Sequence, residues 1–187
     1  MKKILKLTFV LFLICAITAG ILGVINELTY RQIAEQNRIK TVKAYSSVLK
    51  ADDYEEIDFA AAGVPATINN VTIDKISRAT NDSGYVVETT FSGAQGSITM
   101  VCGVDNDLKC TGISIIEHSE TSGLGAVAAA SSAAGEAFRA QFVGQGSDIA
   151  LSKAGGSIDA LAGATITSNA VTGATATSIA AVESVKA

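Results

Sequence analysis

Residues 7–25, LTFVLFLICAITAGILGVI, carry no charged side chain. At about 1.5 Å per residue a helix of this length crosses the hydrocarbon core of a bilayer, where a lone segment must satisfy its own backbone hydrogen bonds. The rest of the chain is therefore expected to fold as an appendage to one transmembrane helix. A cleaved signal peptide has an apolar core of about 7–15 residues followed by a small-x-small exit. Here Ile21, Leu22, Val24 and Ile25 continue the run past Ala19 and Gly20, which favours a retained anchor. A lipoprotein anchor through Cys15 would want a small residue where Ile14 stands, and a pilin-like helix would want an early acid, whereas the first one is Glu27.

Charge orients the anchor. Lys2, Lys3 and Lys6 precede the apolar run, and every acidic residue follows it. The positive-inside rule keeps the N-terminus cytoplasmic and puts residues 26–187 on the outer face of the membrane. That remainder carries 11 basic against 18 acidic residues, a net charge of −7. Such a surface does not suit nucleic acid or anionic lipid headgroups. Three cysteines cannot supply an all-cysteine iron–sulfur cluster or a four-cysteine zinc site, so no metal site is expected.

Asn26 to about Leu49 reads as a juxtamembrane helix, without Pro or Gly and with a broken apolar stripe of Leu28, Ile33, Val42, Tyr45 and Leu49. The acidic stretch Asp52–Asp58, followed by Phe59 and Ala-Ala-Ala-Gly-Val-Pro, reads as a solvated linker. Three segments are thus expected: a stub and anchor over 1–25, a helix and linker over 26–65, and a globular domain over 66–187. Within the last, runs at Val71–Thr80, Tyr85–Phe91, Ser97–Val104 and Leu108–Glu117 alternate with turns rich in Asn, Asp, Ser and Gly, which predicts an antiparallel meander. If its last hairpin folds symmetrically about Asn106, Cys102 and Cys110 oppose each other within reach of a disulfide; a slip of one residue sends them to opposite faces. An Ala-rich helix over Ala126–Phe142 and a final helix capped by Thr167 or Ser168 and reaching Val185 complete an α+β fold, an antiparallel sheet with packed helices.

Chemistry is narrowed first by absence. The chain has no GxxxxGK[ST], GxGxxG, HExxH or Cys-x-x-Cys motif. His118 is a single histidine near Ser119, Glu120 and Thr121, and reads as a satisfied loop residue; no catalytic residue is assigned. What remains is a small-residue turn with hydroxyls at a helix start, Gly163 to Ser168, where free backbone amides and the dipole can hold an anion. A capped helix after a glycine turn is also common structure. The motif echoes itself: Ala162–Ser168 (AGATITS) recurs as Thr172–Ser178 (TGATATS), giving two candidate threonines, Thr165 and Thr175.

Asp159-Ala160-Leu161-Ala162-Gly163-Ala164-Thr165-Ile166-Thr167-Ser168 resembles the flavinylation motif of FMN-binding domains, and His118-Ser119-Glu120-Thr121-Ser122-Gly123-Leu124-Gly125 resembles their second signature, His-x-Glu-Thr-Pro-Gly-Leu-Gly. Ser122 departs from the usual Pro and Ala162 from the commoner Ser. The order of the motifs, the single anchor and the length are similar to the G subunits of Rnf ion-translocating electron-transport complexes, which are related to the C subunit of the sodium-pumping NADH:quinone reductase.

The resemblance implies FMN joined through its phosphate to Thr165 by a separate flavin transferase that uses FAD and Mg²⁺. It implies that Asp159 presents the acceptor loop, with Gly163, Ala164, Thr167 and Ser168 around the phosphate and Glu120, Thr121, Gly123, Leu124 and Gly125 lining the flavin. Asn169 stands before Thr175 where Asp159 stands before Thr165, so Thr175 is expected to be ordinary helix surface. Membership of an Rnf complex implies electron relay between ferredoxin and NAD⁺, coupled to Na⁺ or H⁺ transport, with the other subunits and the bilayer as partners. A stand-alone anchored flavoprotein and a non-redox binding module are the alternatives.

Overall fold

The computed structural model describes residues 2–186; Met1 and Ala187, the outermost residues of the expected stub and domain, lie outside the described residues. The chain divides into two units, residues 1–40 and 41–187. In the first, the expected anchor and juxtamembrane segment form a single helix, α1 (Lys2–Val48), whose last turns belong to the second unit. Its apolar window is wholly exposed, and among the described residues it is the one helix long and apolar enough to cross a membrane. The hydroxyls of Thr8 and Thr18 donate to the carbonyls of Ile4 and Ile14, each at 3.0 Å, so neither brings an unpaired polar group into lipid.

The second unit is built on an antiparallel sheet. Its strands are β1 (Tyr54–Ile57), β2 (Thr67–Ile68), β3 (Val71–Ala79), β4 (Gly84–Ser92), β5 (Ser97–Asp105) and β6 (Cys110–His118). They run in the order β1-β3-β4-β5-β6, with β2 also on β3. The predicted meander is β3 to β6. The acidic stretch is not the expected linker: it supplies β1, an edge strand in which half-buried Tyr54 and Ile57 flank exposed Glu55 and Glu56 and pack on opposite faces of the sheet, and Glu56 pairs with Lys75 at 2.7 Å.

One face of the sheet buries Ile73, Val87, Met100, Cys102 and Val104 against Val171, Ala174, Ile179 and Val182 of α3 (Thr165–Lys186). The other face buries Ala79, Val86 and Val101 beneath Ala44, Tyr45, Val48 and Leu49 at the end of α1. Tyr45 donates to Glu88 at 3.3 Å, and Thr111 donates to the Val48 carbonyl at 2.6 Å.

Two helical expectations need correction. The Ala-rich segment is not one helix: it forms a 3₁₀ turn over Gly125–Ala128 and then α2 (Ala133–Ala140), capped by Ser132. Between them the chain turns so tightly that a Cβ on Gly135 would collide with the carbonyl oxygens of both Val127 and Ala130. Gly135→Ala is therefore expected to destabilise by about 1–2 kcal/mol, the collision outweighing the gain of about 1 kcal/mol in helix propensity; a urea titration reads the loss. The second correction is that α3 begins at Thr165, three residues before the expected cap at Ser168.

Candidate functional site

Two tight turns face each other between strand β6 and helix α3. In the first, the Leu124 amide donates to the Thr121 carbonyl at 3.1 Å with Gly123 at φ +77°. In the second, the Ala164 amide donates to the Leu161 carbonyl at 3.0 Å with Gly163 at φ +72°. A positive φ at the third residue is what a type II turn demands, hence glycine in both motifs. Ser122 occupies the second position of the first turn, where proline is favoured for its preset φ but is not required by any hydrogen bond. The turns touch: a Cβ on Gly163 would lie 3.0 Å from the Leu124 side chain.

Glu120 locks this arrangement. It is 9% exposed, and its carboxylate Oε1 accepts the amides of Ala94 and Gln95 at 2.8 and 3.0 Å. Its Oε2 accepts the Thr167 hydroxyl at 2.5 Å. One side chain thus fastens the β4–β5 turn, its own loop and the first turn of α3. Glycines flank the carboxylate because nothing larger fits: a Cβ on Gly93 would collide with Oε1, and one on Gly125 would collide with Oε2. Burial would raise the Glu120 pKa, but hydrogen bonds from Thr167, Gln95 and Ala94, and His118 nearby, together hold it below the usual value. His118, the last residue of β6, accepts the Glu120 amide on Nδ1 at 3.2 Å, the satisfied role its sequence context suggested.

The Gly163 side of the arrangement leads into a helix N-terminus. Thr165 is the first residue of α3, and the Ser168 amide makes the first helical bond, to the Ala164 carbonyl at 2.9 Å. The amides of Thr165, Ile166 and Thr167 precede it and have no intrahelical acceptor. The Thr165 side chain is exposed, as is its neighbour Ile166. Ser168 is buried and acts as a staple: its hydroxyl accepts the Leu161 amide at 3.0 Å and donates to the Ala164 carbonyl at 2.9 Å.

A cleft of about 310 Å³ lies between these parts, lined by Ala94, Gln95, Glu120, Thr121, Leu124, Gly125 and the segment Gly163 to Thr167. Both motifs therefore meet in one place. Ala94 and Gln95 were missed from sequence, where their segment reads only as a hairpin turn. A larger space of about 480 Å³ lies elsewhere along α3, reached by Asn169 and by Gly173, Ala176 and Thr177 of the echoed stretch, and none of the residues assigned to the cofactor lines it.

Of the residues that the resemblance assigned to the cofactor, three do not line the cleft. Ser168 and Gly123 shape it from behind. Asp159 accepts the Ser152 hydroxyl at 2.9 Å, and its backbone is held by the Gln141 side chain, amide to Oε1 at 2.7 Å and carbonyl to Nε2 at 3.3 Å. It fixes the start of the acceptor loop against α2 and is exposed at the surface.

Thr175 is not helix surface. It is fully buried, and its hydroxyl donates to the Val171 carbonyl at 2.9 Å. Thr172 and Ser178 are likewise buried and bonded to carbonyls one turn back. The echoed motif serves packing: small hydroxyl residues bring α3 close to the sheet and satisfy themselves within the helix. Thr175→Ala is expected to leave all chemistry at the cleft intact and to cost about 1–2 kcal/mol of stability, read from thermal unfolding.

Two family models match the chain, an FMN-binding domain over residues 93–179 and the RnfG N-terminal region over residues 1–48. Among curated proteins, the G subunit of the ion-translocating oxidoreductase complex of Methanosarcina acetivorans is 32% identical over 173 residues, covering 89% of this chain and 88% of the relative. The G subunit of the Na⁺-translocating ferredoxin:NAD⁺ oxidoreductase complex of Acetobacterium woodii is 31% identical, covering 89% of this chain and 86% of the relative. The corresponding G subunit of the ion-translocating oxidoreductase complex of Haemophilus influenzae is 33% identical, covering 86% and 79%.

Proposed function

The chain belongs to the G-subunit family of ion-translocating oxidoreductase complexes of the Rnf type, and from that premise we propose that it is an electron-carrying subunit whose FMN is bound covalently to Thr165. The observation that carries the reading is the exposed Thr165 hydroxyl on the first residue of α3, beside three backbone amides without intrahelical acceptors. Thr167, Ser168, Thr172, Thr175 and Ser178 are all buried and already hydrogen-bonded.

The cleft suits the group. A phosphate esterified to Thr165 would lie at the positive end of a 22-residue helix, where an anion is favoured. The amide and hydroxyl donors on both Glu120 oxygens partly offset the charge of that carboxylate toward the phosphate. Leu124 and Ile166, 45% and 67% exposed, offer apolar surface for a ring at the rim. At about 310 Å³ the cleft is at the small end of ligand sites, leaving part of the cofactor open to electron partners.

Attachment balances as a transfer from FAD in the active site of a flavin transferase. The Thr165 Oγ–P bond forms, the pyrophosphate P–O bond breaks, AMP leaves and the hydroxyl proton is lost. Asp159 contributes by holding the loop that presents the hydroxyl. Bound FMN supplies reversible uptake and release of electrons, and the protein tunes it by contact. The residues of this chain tether and shield it, and leave substrate chemistry to other subunits. In the assembled complex the electrons pass between ferredoxin and NAD⁺, coupled to movement of Na⁺ or H⁺. Lys2, Lys3 and Lys6 hold the N-terminus in the cytoplasm, so the FMN domain stands on the outer face.

The test is the intact mass of the denatured full chain, made with and without an active flavin transferase, followed by peptide mapping. The expected gain is one FMN less one water on the peptide that contains Thr165; no gain with a transferase active on a control substrate overturns the reading.

A further inference from the structure

Two buried thiols lie outside everything the cleft uses. Cys102 of β5 and Cys110 at the start of β6 are 0% and 1% exposed, with sulfurs 3.8 Å apart. The symmetric hairpin expected from sequence would set them directly opposite; instead Cys110 faces Val104 and Cys102 faces Ile113. Such diagonal neighbours are usually about 7–8 Å apart between backbones. The register breaks between Gly103 and Val104, leaving Thr111 without a partner residue. This extra residue brings Cys110 back toward Cys102 on the face packed against α3, while Thr111 turns to the α1 side and bonds the Val48 carbonyl. The two sulfurs meet each other; Cys102 also lies 3.6 Å from the Gly103 carbonyl and beside the Ser178 hydroxyl, and Cys110 is beside the Gly112 backbone.

We propose that Cys102 and Cys110 form a disulfide in the mature protein, a covalent pin across the bulge of the β5–β6 hairpin. The inference rests on the outer-face placement of the domain proposed above, where such bonds persist. A sulfur–sulfur bond of about 2.05 Å requires the atoms to close by less than 2 Å from 3.8 Å.

The oxidant is a thiol–disulfide oxidoreductase in its disulfide form, acting before the hairpin is buried. One of the two cysteines attacks as thiolate and forms a mixed disulfide; the sulfur of the other, losing its proton, displaces the oxidoreductase, which departs as the dithiol. Overall two electrons and the two thiol protons pass to the oxidoreductase, whose own disulfide is reduced. Strand β6 leads from Cys110 into the Glu120 loop, so the pin fixes the register of the strand that delivers the cleft.

The experiment uses the full chain in its own membrane, quenched in acid, then denatured and alkylated without reductant. The expected result is one alkylated cysteine, Cys15, rising to three after reduction, with the Cys102 and Cys110 peptides joined in the unreduced digest. Alkylation of all three before reduction overturns the proposal. The same spectra read the flavin separately: a joined pair without flavin removes only the flavin reading, and flavin with three free thiols removes only the disulfide. Proteolysis of intact spheroplasts reads the outer-face placement independently.

Discussion

Thr165→Ala abolishes covalent flavin and leaves the domain folded. In the proposed attachment the hydroxyl is the nucleophile, so its loss is expected to be all-or-none. Alanine suits the first position of a helix as well as threonine does. The side chain is exposed and its removal opens no cavity, so the stability change is expected within about 0.5 kcal/mol. The measurement is the intact mass and the visible absorbance of denatured protein after coexpression with the transferase, beside the thermal midpoint. Native protein carries the adduct and Thr165→Ala does not, while their midpoints coincide. Full labelling of Thr165→Ala would move the acceptor elsewhere. Serine at this position keeps the nucleophile and is expected to retain some attachment. The contrast with Thr175→Ala is sharp, because there stability changes and flavin does not.

The meander was legible because period-two patterning and turn residues are local signals, and β3 to β6 follow them nearly to the residue. The acidic strand was not, because Glu55 and Glu56 carry the charge of a linker while Tyr54 and Ile57 make only half-buried edge contacts. The break before α2 was invisible since Ala129 to Ser132 have no strong turn residue; the cause is the approach of Gly135 to the Val127 and Ala130 carbonyls. At the cleft, the motif resemblance brought the two glycine turns and Thr165 to one place, but it set every member except Asp159 around the cofactor. The structure gives several of them to one another: Thr167 to Glu120, Ser168 to Leu161 and Ala164, Asp159 to Ser152 and Gln141. Ala94 and Gln95 offer only backbone amides to Glu120, and backbone donors leave no mark in side-chain identity. Thr175 shows the converse, a motif repeated for helix packing and buried out of reach.

Glu120→Ala removes the lock that joins three elements. The amides of Ala94 and Gln95 and the hydroxyl of Thr167 lose their acceptor together. An unsatisfied buried group costs about 1–3 kcal/mol; the open cleft lets water reach part of this set, so the expected total is about 2–4 kcal/mol, with a loosened β4–β5 turn and slower flavin attachment. Glu120→Gln separates shape from charge. Its carbonyl can keep the two amide bonds and its NH₂ can donate to the Thr167 oxygen, so attachment persists. Acid response then tells them apart. The folded carboxyl has a lowered pKa, so its contribution is complete above the unfolded value of about 4.3 and is lost as pH falls through the folded value. Native protein should lose stability over that acid window by an amount that Glu120→Gln does not lose, and the gap between their urea midpoints should narrow as pH falls. A constant gap down to full protonation would mean that the carboxylate charge contributes nothing and that hydrogen-bond geometry alone holds the two turns together.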